Sequence, residues 1–182
     1  MIIAEADRLQ ELMSRLLTSH RMMQPTQLNL HDVIERVRRL ILAEFPSIEV
    51  RRDYDTSLPS VTGDREQLIQ AILNVARNAA QAMQGCGEIV MRTRAARQVT
   101  LAKRRFKLAV QLQVIDNGPG IPDDIRDRIF YPLVSGRENG SGLGLSLAQS
   151  FIEQHQGAIE VESRPGRTCF TLFIPITRDA DA

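Results

Sequence analysis

The sequence predicts an α+β fold: a two-layer sandwich with helices on one face of a mixed sheet, preceded by a short N-terminal helix. Three observations carry this prediction. Apolar residues recur at helical spacing over residues 30–45, 64–83 and 145–154. Between and after these stretches lie paired runs of strand character separated by turn residues, as antiparallel hairpins require. Six of the eleven glycines, Gly118, Gly120, Gly136, Gly140, Gly142 and Gly144, crowd into one stretch, where the chain offers backbone rather than side chains. At 182 residues the chain is long enough for one domain with a substantial core.

The elements follow in order. Residues 3–17 place Ile3, Ala6, Leu9, Met13, Leu16 and Leu17 on one side of a helix, a stripe that lasts little more than two heptads. It reads equally as the end of a longer element or as a terminal helix docked on the domain. Residues 18–27, with Ser19, Pro25 and Thr26, read as a linker. Asn29 is placed to N-cap a helix over residues 30–45, with Leu30, Val33, Ile34, Val37, Ile41 and Leu42 inward. Residues 49–54 have strand character, and Leu58-Pro59 closes them. Asp64 and Gln67 give a capping-box start to a helix whose buried face is Leu68, Ile72, Val75, Ala76, Ala79 and Met83. Residues 87–97 and 106–116 read as two long hairpin strands. Arg94, Arg97, Lys103, Arg104 and Arg105 make their connection basic, which reads as a solvated tip, with docking of an acidic partner as the alternative. A helix over 145–154 precedes a last strand pair, 158–162 and 168–175, joined at Pro165-Gly166.

Lys and Arg number 23 against 22 for Asp and Glu, a formal net charge of +1. That balance gives no global argument for binding nucleic acid or a membrane. Cys86 and Cys169 make no disulfide framework and sit in no CxxC, so they read as reduced thiols. No segment approaches the ~20 apolar residues that span a bilayer, and the Met1 region lacks a basic start with an apolar core. The expectation is a soluble, cytoplasmic protein.

Residues 116–145 read DNGPGIPDDIRDRIFYPLVSGRENGSGLGL, and the rest of the chain is arranged around them. The run Leu108–Ile115 delivers Asp116 at a strand end, and Asn117-Gly118 and Pro119-Gly120 then break the strand. A carboxylate there, flanked by residues without bulk, can accept hydrogen bonds from a flat ligand lying on bare backbone. The second turn, Gly140-Ser141-Gly142-Leu143-Gly144, opens a helix. Glycines in that position let backbone N–H groups converge where the helix dipole favours negative charge, which suits phosphates; tight structural turns are the alternative. The pattern is neither a P-loop GxxxxGK[ST] nor a dinucleotide GxGxxG. Asn74 and Asn78, four residues apart, share one face of their helix. They read either as a solvated polar face or, since asparagine is a poorer helix former than Lys, Glu or Gln, as carboxamide oxygens offered to a hard cation such as Mg²⁺.

Together these motifs resemble the catalytic ATP-binding domain of sensor histidine kinases, in the wider group shared with gyrase, the Hsp90 chaperones and MutL. LNVARNAAQAM is similar to the N box, DNGPGI to the first glycine box, IFYPLVSG to the F box and GSGLGLSLAQ to the second glycine box. The match spans residues 28–176. YPLVSGRENGSGLGLS, the RTRAARQ…FKL hairpin and RDYDTSLP are most similar to the nitrogen-regulation branch of these kinases.

The resemblance implies a Bergerat-type fold that binds ATP and Mg²⁺. By it, Asp116 would take the adenine amino group, with Gly118 and Gly120 letting the base lie close. Asn78 would ligate Mg²⁺, supported by Asn74. Ser141, Gly142, Leu143 and Gly144 would form the phosphate turn, and residues 122–141 a mobile lid anchored by Phe130. Arg137 would meet the terminal phosphates, with Arg77 as a second basic candidate. Residues 1–20 would be the tail of the dimerisation helix plus linker, and 21–182 the catalytic domain. Asn74 stands where related ATPases carry a glutamate that activates water; it cannot act as a base, which favours phosphoryl transfer over hydrolysis. Gln81 and Ala82 replace the Lys and Tyr of some kinases. His20, His31 and His155 all lack the phosphoacceptor pattern, so the accepting histidine belongs to a separate dimerisation domain. The other partners implied are a response regulator of the NtrC type and a PII-type signal protein. The competing classes are a stand-alone ATPase or serine kinase of the same fold, and an interaction module with a vestigial nucleotide site.

Overall fold

The computed structural model describes residue 13, residues 22–135 and residues 142–177. Its elements in chain order are β1 (Thr26–Leu28), α1 (Leu30–Glu44), β2 (Ile48–Asp53), β3 (Val61–Gly63), α2 (Arg65–Ala82), β4 (Gly87–Leu101), β5 (Arg104–Asp116), α3 (Asp123–Arg126), α4 (Gly144–Gln154), β6 (Ala158–Arg164) and β7 (Arg167–Pro175). Five strands form one sheet in the order β2-β4-β5-β7-β6. β2 runs parallel to β4 and the other pairs are antiparallel, so the sheet is mixed. β1 and β3 make a separate antiparallel pair.

Side-chain alternation divides the sheet into two faces. Ile89 and Met91 of β4, Val110, Leu112 and Val114 of β5, and Phe170 and Leu172 of β7 are fully buried in one cluster with the apolar stripes of α1, α2 and α4. That is the helix-covered layer that the periodicity predicts. Asn29 caps α1 through its side chain, which accepts from His31 N. Asp64 caps α2 by accepting from Glu66 N and Gln67 N. The reciprocal half of a capping box is absent: the Asp64 N–H goes to His155 Nε2, and the Gln67 side chain reaches Gln154 instead.

The β4–β5 hairpin is longer than its sequence pattern indicates. Its strands meet in a two-residue turn at Ala102 and Lys103, both with positive φ as such turns require. β2 flanks β4 only up to Arg92 and β7 flanks β5 only from Ala109, so the end of the hairpin is a two-stranded ribbon. Such a ribbon is wet on both edges and shows no clean apolar alternation. It is nevertheless anchored: Leu101, Phe106 and Ala109 form a second small core with Val99, Ala158 and Phe173, and Arg104 donates to Gln156 at 2.8 Å. Arg94 pairs with Asp53 at 2.8 Å, while Arg97, Lys103 and Arg105 are exposed. β1 and α3 have no counterpart in the sequence reading, and β1 takes up Thr26 and Gln27 of the expected linker. The predicted N-terminal helix lies outside the described residues except for Met13.

Where α1 begins, His31 stacks on Tyr54 with ring centroids 4.8 Å apart. The buried Thr93 hydroxyl lies 2.9 Å from His31 Nε2 and accepts from Asp55 N at 3.0 Å. With one donor and two acceptor sites, that hydroxyl can pair with the ring in either tautomer while it serves Asp55, and burial favours the neutral imidazole by lowering the His31 pKa. Thr93→Val should strand both partners and cost about 1–3 kcal/mol, read as the shift in urea-unfolding free energy. An unchanged stability would contradict the bridging role.

Candidate functional site

Asp116 closes β5, between Ile89 of β4 and Thr168 of β7 in the register. Central strands bury it to 4% exposure. Its Oδ1 accepts from Gly118 N at 2.9 Å, and no other hydrogen bond reaches the carboxylate among the described residues, so Oδ2 has no protein donor. Burial raises the Asp116 pKa above its ordinary 3.8, and the Gly118 N–H offsets part of that. A buried carboxylate with one backbone donor retains capacity to accept a further hydrogen bond.

The turn after it requires glycine. A Cβ on Gly118 would lie 2.8 Å from Asp116 Oδ1 and 3.0 Å from Met83 Cγ, closing the space beside the carboxylate. Gly120 has φ 90° and rests on the Arg164 backbone. The β6–β7 turn braces the same loop: Gly166 N donates to Gly118 O at 2.9 Å, and Ser163 Oγ accepts from Ile121 N at 2.8 Å. The sequence offers no local signal for Met83, Ser163 or Gly166, because only the strand order brings them to Asp116.

Helix α2 leads away from this carboxylate towards the second glycine turn. Met83 ends α2 beside the first glycine turn, and Asn74 lies nine residues earlier, about 13 Å along the axis. There Asn74 Nδ2 donates to Gly144 O at 3.2 Å, and Asn74 Oδ1 accepts from Gln70 at 3.0 Å. Both carboxamide atoms are therefore engaged, and Asn74 is a strut between α2 and the second glycine turn. Asn78, half-buried and one turn on, shares that face. Arg77 lies on another face, in an ion pair with Glu44 of α1 at 2.8 Å.

The second turn joins α4 to the lid. Gly142 has φ 68°, and a Cβ there would meet the Leu133 carbonyl carbon at 2.6 Å; its own carbonyl accepts from Leu133 N at 2.9 Å. Leu143 is buried to 1% exposure, and its carbonyl takes Ser146 Oγ and Leu147 N. The first turn of α4 holds no acidic residue, so nothing there competes with an anion for the helix N-terminus. On the lid, Phe130 stands edge-on to Phe170 at 6.2 Å, and Ile129 beside it is the more deeply buried anchor, while Tyr131 and Leu133 are exposed. Arg137 and Ser141 lie outside the described residues. Among the described residues there is no group of three or more His, Cys, Asp or Glu side chains that could hold a metal, and no helix long and apolar enough to cross a membrane.

Residues 63–178 match the family of histidine kinase-, DNA gyrase B-, and HSP90-like ATPases. The chain is similar to the sensory histidine kinase/phosphatase NtrB of Vibrio alginolyticus, 49% identical over 97% of this chain and 51% of that protein. It is 50% identical to the NtrB of Klebsiella oxytoca over the same shares. The chain thus spans about half the length of these relatives. Among solved structures it is similar to the catalytic domain of the histidine kinase ThkA, with TM-score 0.71 and 28% identity over 84% of this chain and 96% of that one. It also resembles ThkA in complex with the response regulator TrrA, with TM-score 0.75 and 26% identity over 97% of this chain and 49% of that one.

Two outcomes follow from the geometry alone. A carboxyl with a raised folded pKa binds more proton folded than unfolded, so stability is lost as pH rises from 3.8 through the raised value, and the full deficit is present above it. Asp116→Asn should therefore match or exceed the parent in unfolding free energy at pH 7, with the gap closing towards pH 4; a clearly less stable variant would contradict burial as the ruling effect. Gly142→Ala should cost on the order of 1–3 kcal/mol through its left-handed φ and the Leu133 clash, and should alter the lid resonances in an NMR spectrum. Unchanged spectra would show that the two turns are not packed as described.

Proposed function

The chain belongs to the histidine kinase-, DNA gyrase B- and HSP90-like ATPase family, and from that premise we infer that it binds Mg·ATP along α2, as the catalytic part of a sensor histidine kinase. The observation that carries this reading is the buried Asp116, with one backbone donor, at one end of α2, while Asn74 of the same helix holds the glycine turn of α4. An adenine amino group supplies the missing donor, and the bare Gly118 backbone admits a flat ring beside it. Further along α2, Asn74 meets the N-terminus of α4, where phosphates are favoured.

The donor set suits the metal. Mg²⁺ takes few protein oxygens and completes its shell with phosphates and water, and Asn78 carries a carboxamide oxygen on the Asn74 face of α2. When bound, Mg²⁺ would neutralise phosphate charge. The chain's own part is positioning: Asp116 orients the base, Asn74 holds the phosphate turn against α2, and the lid, rooted by Ile129 and Phe130, excludes water. Arg137 is the basic residue proposed for the terminal phosphates, and Arg77, paired with Glu44, would have to leave that pair to serve there. With Asn74 unable to act as a base, transfer to an imidazole on a histidine-bearing dimerisation domain fits better than hydrolysis. Likeness to NtrB extends the reading to a cytoplasmic kinase of nitrogen regulation, passing phosphate to an NtrC-type response regulator under a PII-type signal protein, with residues 1–20 as the tail of the dimerisation helix.

Calorimetric titration with ATP, with and without Mg²⁺, tests this. One-to-one binding that tightens with the metal is expected. Asp116→Ala should weaken it roughly ten- to a hundred-fold, the effect of losing a hydrogen bond to a charged acceptor, and Asn78→Ala should abolish the gain from Mg²⁺. Unchanged affinity in the first variant, or surviving metal dependence in the second, would remove that residue from the site.

A further inference from the structure

A buried polar junction joins the start of α2 to the end of α4. Asp64 and His155 are buried to 4% and 7% exposure. Asp64 Oδ1 accepts from Glu66 N at 3.0 Å and Gln67 N at 3.1 Å, capping α2. Its Oδ2 accepts from Gln24 N at 2.9 Å, which ties the segment entering the domain to the same carboxylate. The Asp64 N–H donates to His155 Nε2 at 3.0 Å, and His155 Nδ1 lies 2.7 Å from Phe151 O in α4. The carbonyl can only accept and the Asp64 amide can only donate, so the ring is the neutral Nδ1–H tautomer with both nitrogens used. Gly63 leaves the room for it: a Cβ there would lie 2.8 Å from the His155 ring.

With the Gln67 Nε2 to Gln154 Oε1 hydrogen bond beside it, at 3.1 Å, this junction makes one of two polar struts between α2 and α4 among the described residues. The other is Asn74 to Gly144, at the nucleotide end. From Asp64 to Asn74 is ten residues and from Gly144 to His155 is eleven, so the struts stand about 15 Å apart on either helix. One strut would leave α4 free to slide or rotate against α2; two fix spacing and register together. We propose that Asp64 and His155 are positioning residues for the nucleotide site, holding the glycine turn of α4 in register with Asn78 and linking that register to the entering chain at Gln24. The proposal rests on the nucleotide reading above only for its functional consequence.

Three variants test it. His155→Leu removes both ring hydrogen bonds; His155→Gln keeps a carboxamide oxygen near the place of Nε2. Asp64→Asn preserves the helix cap, since Asn caps as well as Asp, but one amide cannot offer acceptors to both α2 and Gln24. Mg·ATP affinity, measured by calorimetry well below the melting temperature, should fall about tenfold in His155→Leu, recover in His155→Gln and drop by a smaller factor in Asp64→Asn. Amide exchange needs no nucleotide. Leu147 N, bonded to Leu143 O at 3.0 Å in the first turn of α4, should exchange faster in His155→Leu and not in His155→Gln, and Gln24 N faster in Asp64→Asn. If His155→Leu does not fold, His155→Asn, which keeps the donor to Phe151 and loses the acceptor, takes its place.

A folded His155→Leu with parental affinity and parental Leu147 exchange would overturn the proposal, as would equal losses in the Leu and Gln variants. Failure of the parent itself to bind ATP would sink the nucleotide reading, and the exchange measurement would still decide the positioning role.

Discussion

The carboxylate of Asp116 is the constraint to which the other parts conform. A charge nearly removed from water, with one backbone hydrogen bond, costs the fold free energy. The central strands β4 and β7 hold it there, and the turn that follows it is stripped of side chains so that the carboxylate remains reachable. A side chain at Gly118 would occupy the space that the buried oxygen faces. Such a group is a poor choice for stability and a good one for selecting a hydrogen-bond donor, since a ligand without the donor would leave the desolvation uncompensated.

The rest of the site is a problem of holding backbone in place. The glycine turns have few side chains of their own to anchor them, so they are fixed from outside. The β6–β7 turn and Ser163 brace the first; Asn74 and the buried Leu143 brace the second. The segment from Ile121 to Leu133 is held at both ends, Ile121 N by Ser163 Oγ and Leu133 N by Gly142 O. Between these anchors α2 and α4 lie side by side, joined by hydrogen bonds at both ends.

Much of this was legible in the residues. Apolar periodicity located the three long helices because each buries one stripe against the sheet, and Asn29 and Asp64 marked helix starts because their side chains satisfy N–H groups that the helix cannot. Asp116 and the two glycine turns stood out because a carboxylate at a strand end followed by glycines leaves bare backbone beside it, which serves a tight turn or a ligand alike. Pairings across the sheet were not legible. The bracing of Gly118 by Gly166, and the use of the Asp64 amide by His155, join residues far apart in sequence, and His155 reads locally as a residue before a turn. The ribbon end of β4–β5 escaped because a two-stranded arm wet on both edges needs no apolar alternation, and its small core draws on Ala158 and Phe173 from another hairpin.

The most direct measurement is a pair of calorimetric titrations with Mg²⁺, one with ATP and one with the inosine triphosphate that differs at the purine 6-position. Asp116 requires a donor there, and inosine presents a carbonyl. The account predicts saturable binding of ATP and weakening by at least tenfold with the inosine nucleotide, the loss expected when two acceptors are forced together. Equal affinity for the two would show that the buried carboxylate does not read the base, and would contradict the assignment on which the site is built.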